Sequence, residues 1–235
     1  MNHNGHHFEH PKDRDRPQAR TTVIYTNWRR SSQLQKITED CARQSANPEI
    51  LVVDNASDSR HRYEGIAHRI VRYTNERKCW QRWMEIHYTN TEYILIMDDD
   101  LTFVDEDVIA DCEQYMDENP GVQAIGINGV SLMPGRSYWR SMHHPASHTD
   151  AKTDIIKGRF FFLRPEHISL MPRALDDYND TCDDISVSAM LENKVIPAML
   201  MSRITNLKEG LEALHASQDQ RRKRDAAAAH YFSHA

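Results

Sequence analysis

Short apolar runs alternate with stretches of helical spacing along most of the chain, beginning at Thr21. TTVIYTN (Thr21–Asn27) is β-branched and aromatic, then polar, which predicts a strand. From about Ser31 to Gln44, Leu34, Ile37 and Cys41 recur at helical intervals. EILVVDNAS predicts a second buried strand, Ile50–Val53, ending at Asp54. HRIVRYTN predicts a short third strand, and ERKCWQRWMEIHY a helix with Trp80, Trp83 and Met84 on one side. YILIM (Tyr93–Met97) is again a buried strand, DEDVIADCEQYMDENPG a helix capped near Asp105 and stopped by Pro120-Gly121, and VQAIGIN a strand. Apolar strands alternating with amphipathic helices imply βαβ units and a mixed, mostly parallel sheet flanked by helices.

Such sheets bind ligands beyond the carboxyl ends of their strands. Asn27, Asp54, Asn55, Asp98, Asp99 and Asp100 all fall at predicted strand ends. After Gly129 the period fades. Residues Gly129 to Asp154 carry turn residues, aromatics and histidines, and predict a loop that covers a substrate on the same face. DIIKGRFFFLRPEHI restores a strand at Phe160–Leu163, and a helix is expected to begin near Asp183-Asp184. The expected organisation is a polar, His-rich tail over 1–20 (His3, His6, His7, His10), one α/β domain over 21–205, and a helical tail over 206–235 that closes the site.

Composition narrows the class. A chain of 235 residues suits one α/β domain, and its net charge of −6 argues against a general nucleic-acid binder. The basic exception is local: RRKR at Arg221–Arg224 could meet phosphate or an anionic membrane surface. No run approaches the ~18 apolar residues of a membrane span. The four cysteines (Cys41, Cys79, Cys112, Cys182) are far apart and form no CxxC. The expectation is therefore reduced thiols, a cytoplasmic setting and no transmembrane segment, with peripheral membrane contact through the basic tail as the variant.

The chemistry centres on Asp98-Asp99-Asp100, three acids closing a buried strand. At about 4 Å each like-charge pair costs on the order of 1 kcal/mol in water and about 4 kcal/mol at an effective dielectric near 20. A hard divalent cation offsets that cost. An Asp-x-Asp pair puts Asp98 and Asp100 on one side of the chain, and Mg²⁺ or Mn²⁺ needs only one or two carboxylates when substrate phosphates supply other oxygens. The plainer alternative is an acidic helix N-cap, which accounts for one aspartate but not for three. CDDIS, with Asp183 and Asp184, reads either as a cap or as a base, nucleophile or acceptor anchor. In VVDNAS, Asp54 and Asn55 can read a nucleobase edge or form an Asx-turn. Arg29 and Arg30 could face a diphosphate or lie on a solvated helix start.

Taken together, YTNWRRSSQLQ, EILVVDNAS, YILIMDDDLTF, IIKGRFFFLR and TCDDISVSAML resemble a glycosyltransferase of the GT-A fold, nearest in pattern to exostosin-like and small virus-encoded single-domain members. The resemblance spans roughly Thr21 to Met201. It implies a nucleotide-sugar donor (a UDP-sugar favoured over a GDP-sugar), Mn²⁺ or Mg²⁺, and a glycan or other hydroxyl acceptor. Asp54 and Asn55 would then contact the base, with Asn27 and Asp99 lining the donor site. Asp98 would meet the ribose and share the metal, and Asp100 would ligate it. Asp184, with Asp183, would sit beside the anomeric carbon. Arg29 or Arg30 matches a basic position after the first strand, His215 a closing metal ligand, and Arg221 or Arg222 a diphosphate contact.

Three rivals remain open at this level. ILIMDDDLT also suits a haloacid-dehalogenase-type phosphohydrolase, although that motif should follow the first strand of its domain. A nucleotidyltransferase usually needs a glycine-rich loop after its first strand, and TNWRRSSQLQ has no glycine. A non-catalytic sugar- or cation-binding domain would use the same acids without turnover.

Overall fold

The computed structural model describes residues 18–27, 31–55, 67–73, 78–168, 181–207 and 218–232. Its strands are β1 (Thr21–Asn27), β2 (Glu49–Asn55), β3 (Arg69–Tyr73), β4 (Tyr93–Asp98), β5 (Leu101–Phe103), β6 (Ala124–Gly126) and β7 (Asn128–Ser131). They continue with β8 (Met142–Pro145), β9 (Ala151–Thr153), β10 (Ile155–Ile156), β11 (Phe160–Leu163), β12 (Lys194–Ile196) and β13 (Ile204–Asn206). The helices are α1 (Ser31–Ala42), α2 (Gln81–Met84), α3 (Val108–Glu118), α4 (Asp183–Ala189) and α5 (Gln218–Tyr231).

Eight strands form one sheet in the order β3-β2-β1-β4-β11-β6-β12-β9. The pairs β2–β3, β1–β2, β1–β4 and β6–β12 are parallel, whereas β11 runs antiparallel to both β4 and β6. β4 is continuously apolar because both of its faces are covered, as expected for an interior strand. Its alternate side chains divide between two cores. Tyr93, Leu95 and Met97 pack with Leu34 and Ile37 of α1 and Val108, Ile109 and Met116 of α3. Ile94 and Ile96 pack on the opposite face with Trp80, Trp83 and Phe161. A single substituted methylene anywhere in β4 is therefore felt in one core or the other.

Several elements differ from the sequence reading. The segment expected as one helix over ERKCWQRWMEIHY has only α2 as α-helix, with 3₁₀ turns at Lys78–Trp80 and Glu85–Tyr88 on either side. Burying Trp80, Trp83 and Ile86 against the sheet holds this tight path, and tertiary packing overrides the 3.6-residue period. Residues Gly129 to Asp154 are not an unstructured cover: β7, β8 and β10 make a small antiparallel sheet, and β9 joins the edge of the large one. Arg20, expected in the tail, belongs to the fold, since its carbonyl accepts the Tyr93 N–H and its guanidinium pairs with Glu92 and Asp117. The tail proper, 1–17, lies outside the described residues.

α5 lies on α4. Ala227 and Ala228 are buried with Ile185, Cys182, Val130 and Tyr138 in a third, smaller core. Gln220 Nε2 donates to the Thr181 carbonyl at 2.7 Å, tying the start of α5 to the segment just before α4. All four cysteines are free thiols. Among the described residues, no helix is long and apolar enough to cross a membrane.

Candidate active site

The parallel strands deliver their carboxyl ends to one edge of the sheet. Register pairs Asn27 of β1 with Asp54 of β2, and Thr26 with Asp98 of β4. Because β11 is antiparallel to β4, its start meets the end of β4: Phe160 pairs with Met97, and the Arg159 carbonyl accepts the Asp98 N–H at 2.9 Å. Lys157, Gly158 and Arg159 thus arrive beside the aspartates. Strand reversal, invisible in the sequence, puts them there.

Asn27, Asp54 and Asn55 are buried at their strand ends, and Arg72 of the neighbouring β3 lies 3.6 Å from Asp54. Asp99 and Asp100 are also largely buried, while about a third of the Asp98 side chain is exposed (34%). Arg29, Arg30 and His215 lie outside the described residues.

Arginines thread the acids together. Arg82 of α2 donates from Nη1 to Asp98 Oδ1 at 2.8 Å and from Nε to Asp183 Oδ2 at 2.9 Å. Trp83 Nε1 donates to the same Asp183 oxygen at 2.5 Å. Burial opposes a charge on Arg82, but Asp183 and Asp98 outweigh it and hold the guanidinium firmly protonated. Asp184 accepts two bonds from Arg224 of α5, at 3.0 and 2.7 Å, and one from the Gly158 N–H at 3.0 Å. Burial pushes the Asp184 carboxyl up, yet the Arg224 charge and these donors prevail, leaving it below the ordinary carboxylate range. Arg224 also donates to Tyr138 Oη at 2.9 Å. Asp100 accepts from Arg159 at 3.2 Å, and its carbonyl receives the Leu207 N–H at 2.7 Å, closing the segment after β13 over the turn.

Gly158 is required by this crowding. A Cβ there would lie 2.7 Å from Arg82 Nη2 and 3.1 Å from Asp184 Cβ. A guanidinium end is normally free to give way, but this one is fixed by two carboxylates.

The acids also fit a cation. Crowding by the surrounding protein pushes the Asp98 carboxyl above its ordinary value despite Arg82, and the Asp100 charge adds to the shift. Positive charge placed between them relieves that. No group of three metal-ligating side chains converges among the described residues. Two hard oxygen donors completed by diphosphate and water are what Mg²⁺ and Mn²⁺ commonly take.

Arg82, Trp83, Arg159, Lys157 and Arg224 are the members of this cluster that sequence reasoning missed. Arg221 packs over the Trp139 ring, 5.7 Å from its centroid.

The family model for glycosyl transferase family 2 matches residues 22–187, which includes every strand-end acid and the Asp183-Asp184 pair. The chain belongs to glycosyltransferase family 2. Its sheet has the GT-A architecture of solved glycosyltransferase structures. One is the mannosyltransferase PcManGT of Pyrobaculum calidifontis in complex with GDP-Man and Mn²⁺, with a TM-score of 0.54 and 17% identity over 76% of this chain and 54% of that one. Another is S. aureus TarS 1-349 in complex with UDP-GlcNAc, with a TM-score of 0.59 and 13% identity over 84% of this chain and 61% of that one. The family 2 chain described here therefore spans between half and two thirds of these structures. No curated protein matches it in sequence. Membership displaces the phosphohydrolase reading, whose aspartates should end the first strand; here they end the fourth.

Proposed function

We propose that this chain transfers a sugar from a nucleoside-diphosphate donor to an acceptor hydroxyl with the aid of Mn²⁺ or Mg²⁺. The observation that carries the proposal is the Arg82 bridge. It joins the strand-end acid Asp98 to Asp183, and so brings the aspartate turn and the start of α4 to one edge of the sheet. In a family 2 chain, that edge is where donor and acceptor must meet.

Asn27, Asp54 and Asn55 line the end that takes the nucleoside, with Asp99 beside them; Arg29 and Arg30, outside the described residues, are the candidates for the diphosphate that the sequence resemblance supplies. Asp98 and Asp100 would hold the cation, with His215 as a further ligand; bound there, it supplies positive charge to the departing diphosphate. Arg159 and Lys157 add fixed positive charge at the same place. Asp184 takes the acceptor proton as the acceptor oxygen bonds to the anomeric carbon and the sugar–diphosphate bond breaks. Its carboxylate is ionised at neutral pH, and Arg224 and Gly158 fix its orientation. Asp183 acts by position, holding Arg82 and Trp83 in place.

Both GDP-Man and UDP-GlcNAc occur in the related structures. We favour a UDP-sugar for this chain, on the sequence resemblance. The four free thiols support a reducing, cytoplasmic setting.

Asp184→Asn keeps an oxygen for the Gly158 N–H and removes the base. Release of nucleoside diphosphate from UDP- and GDP-sugars in Mn²⁺ should fall by about 100-fold or more, the usual scale for a lost general base. Nucleotide affinity and the melting curve, measured alongside, separate lost chemistry from lost fold. A variant that turns over at the wild-type rate would remove Asp184 from this role.

A further inference from the structure

The basic run near the C-terminus does not spread over a flat face. Arg221 and Arg222 of α5 face Arg136 and Arg140 across a cleft of about 780 Å³, which also exposes Trp139. Four arginines line it against one acid, Asp225, whose Oδ1 is already occupied by the Trp139 N–H at 3.4 Å. In a chain of net charge −6, such a concentration of guanidinium groups marks a place for an anion.

We propose that this cleft binds the acceptor and that the acceptor carries phosphate, as in a sugar phosphate or polyol phosphate. The proposal rests on the glycosyl-transfer reading and names the substrate class of its second site. Arginine forks match phosphate oxygens in pairs, whereas lysines give only a point charge. The cleft is open and all four arginines are exposed, so a phosphate reaches them directly from solvent. Trp139 Nε1 donates to the Arg221 carbonyl at 3.2 Å, which pins an indole that remains 38% exposed as an apolar platform for a sugar or polyol chain.

Continuity with the site supports the acceptor role. Trp139 follows Tyr138, and Arg224 lies one helical turn beyond Arg221. Arg224 bonds to both Tyr138 Oη and Asp184, so one residue connects the cleft wall to the proposed base. An acceptor whose phosphate is held by Arg221 and Arg222 lies against the element that orients Asp184.

The test is a calorimetric titration with mannose 6-phosphate and with mannose, in chelator so that no metal assists the phosphate. Wild type should bind the phosphorylated sugar at least tenfold more tightly than the neutral one. Arg136→Gln with Arg140→Gln should remove that preference while leaving metal-dependent binding of UDP or GDP unchanged. Trp139→Ala should weaken the sugar phosphate where Trp139→Phe does not. Equal binding of both sugars, or a preference that survives the double variant, overturns the proposal. So does a matching loss of nucleoside-diphosphate affinity, which would make the cleft part of the donor site. Binding of phosphatidylglycerol vesicles that the double variant abolishes, with no binding of the sugar phosphate, would make it a lipid contact. If no nucleoside diphosphate binds wild type in Mn²⁺ but the sugar phosphate does, the anion site stands and its acceptor role falls with the donor reading.

Discussion

Asp100→Ala is expected to weaken nucleoside-diphosphate binding in Mn²⁺ by about 100-fold or more. The change removes one of two carboxylates available to the cation, and losing roughly 3 kcal/mol of that interaction corresponds to about two orders of magnitude. Stability should barely change. Arg159, the partner left behind, is about a third exposed (32%), so water takes over its charge at a cost within about 1 kcal/mol. The combination is diagnostic: affinity collapses, the melting curve holds, and metal-free affinity is the same in both proteins. Full activity of Asp100→Ala in Mn²⁺ would show that the cation, if one binds, sits elsewhere.

Asp183→Ala should behave in the opposite way. Its side chain and that of Arg82 are nearly sealed (4% and 6% exposed), and Trp83 Nε1 shares the same carboxylate oxygen. Removing the acid strands a buried guanidinium with Asp98 as its remaining partner in the cluster and leaves an indole N–H without its acceptor. Breaking a buried pair from one side costs about 3–5 kcal/mol. For a chain of this size that lowers the melting temperature by roughly 10 °C. Activity should fall too, because Arg82 then pulls on Asp98 alone. Thermal unfolding followed by circular dichroism reads the first effect directly. A variant that melts with wild type would mean that the Arg82–Asp183 pair carries no stability.

The two variants differ because of where each acid sits, and the sequence revealed position better than partnership. The ends of β1, β2 and β4 were legible because the apolar runs Val23–Tyr25, Ile50–Val53 and Tyr93–Met97 give way to Thr26-Asn27, Asp54-Asn55 and Asp98–Asp100. The direction of β11 was not legible. Phe160–Leu163 is apolar on both faces and reads the same either way; in its reversed direction the Gly158 N–H meets the Asp184 carboxylate and the Arg159 carbonyl accepts the Asp98 N–H. Nothing in the sequence marks Arg82 itself, because a charged residue on a Trp-rich segment usually lies on the wet side. Its neighbours Trp80 and Trp83, both buried, were the available hint. Arg224 was hidden in a basic run that resembles a solvated face. Only its spacing from Ala227 and Ala228, three and four residues on and both buried, marks it as turned inward. The strands from β7 to β10 are two to four residues long, and β8 carries histidine and proline, so no period-two pattern emerges.

The central claim is that the aspartate edge of this sheet binds a nucleoside diphosphate through a divalent cation. Calorimetric titration of wild type with UDP and with GDP, first in Mn²⁺ and then in excess chelator, tests it directly. The account predicts saturable heat for one of the two nucleotides in Mn²⁺ and its disappearance on chelation. Binding of neither nucleotide in Mn²⁺, or binding that survives chelation at full affinity, would contradict it.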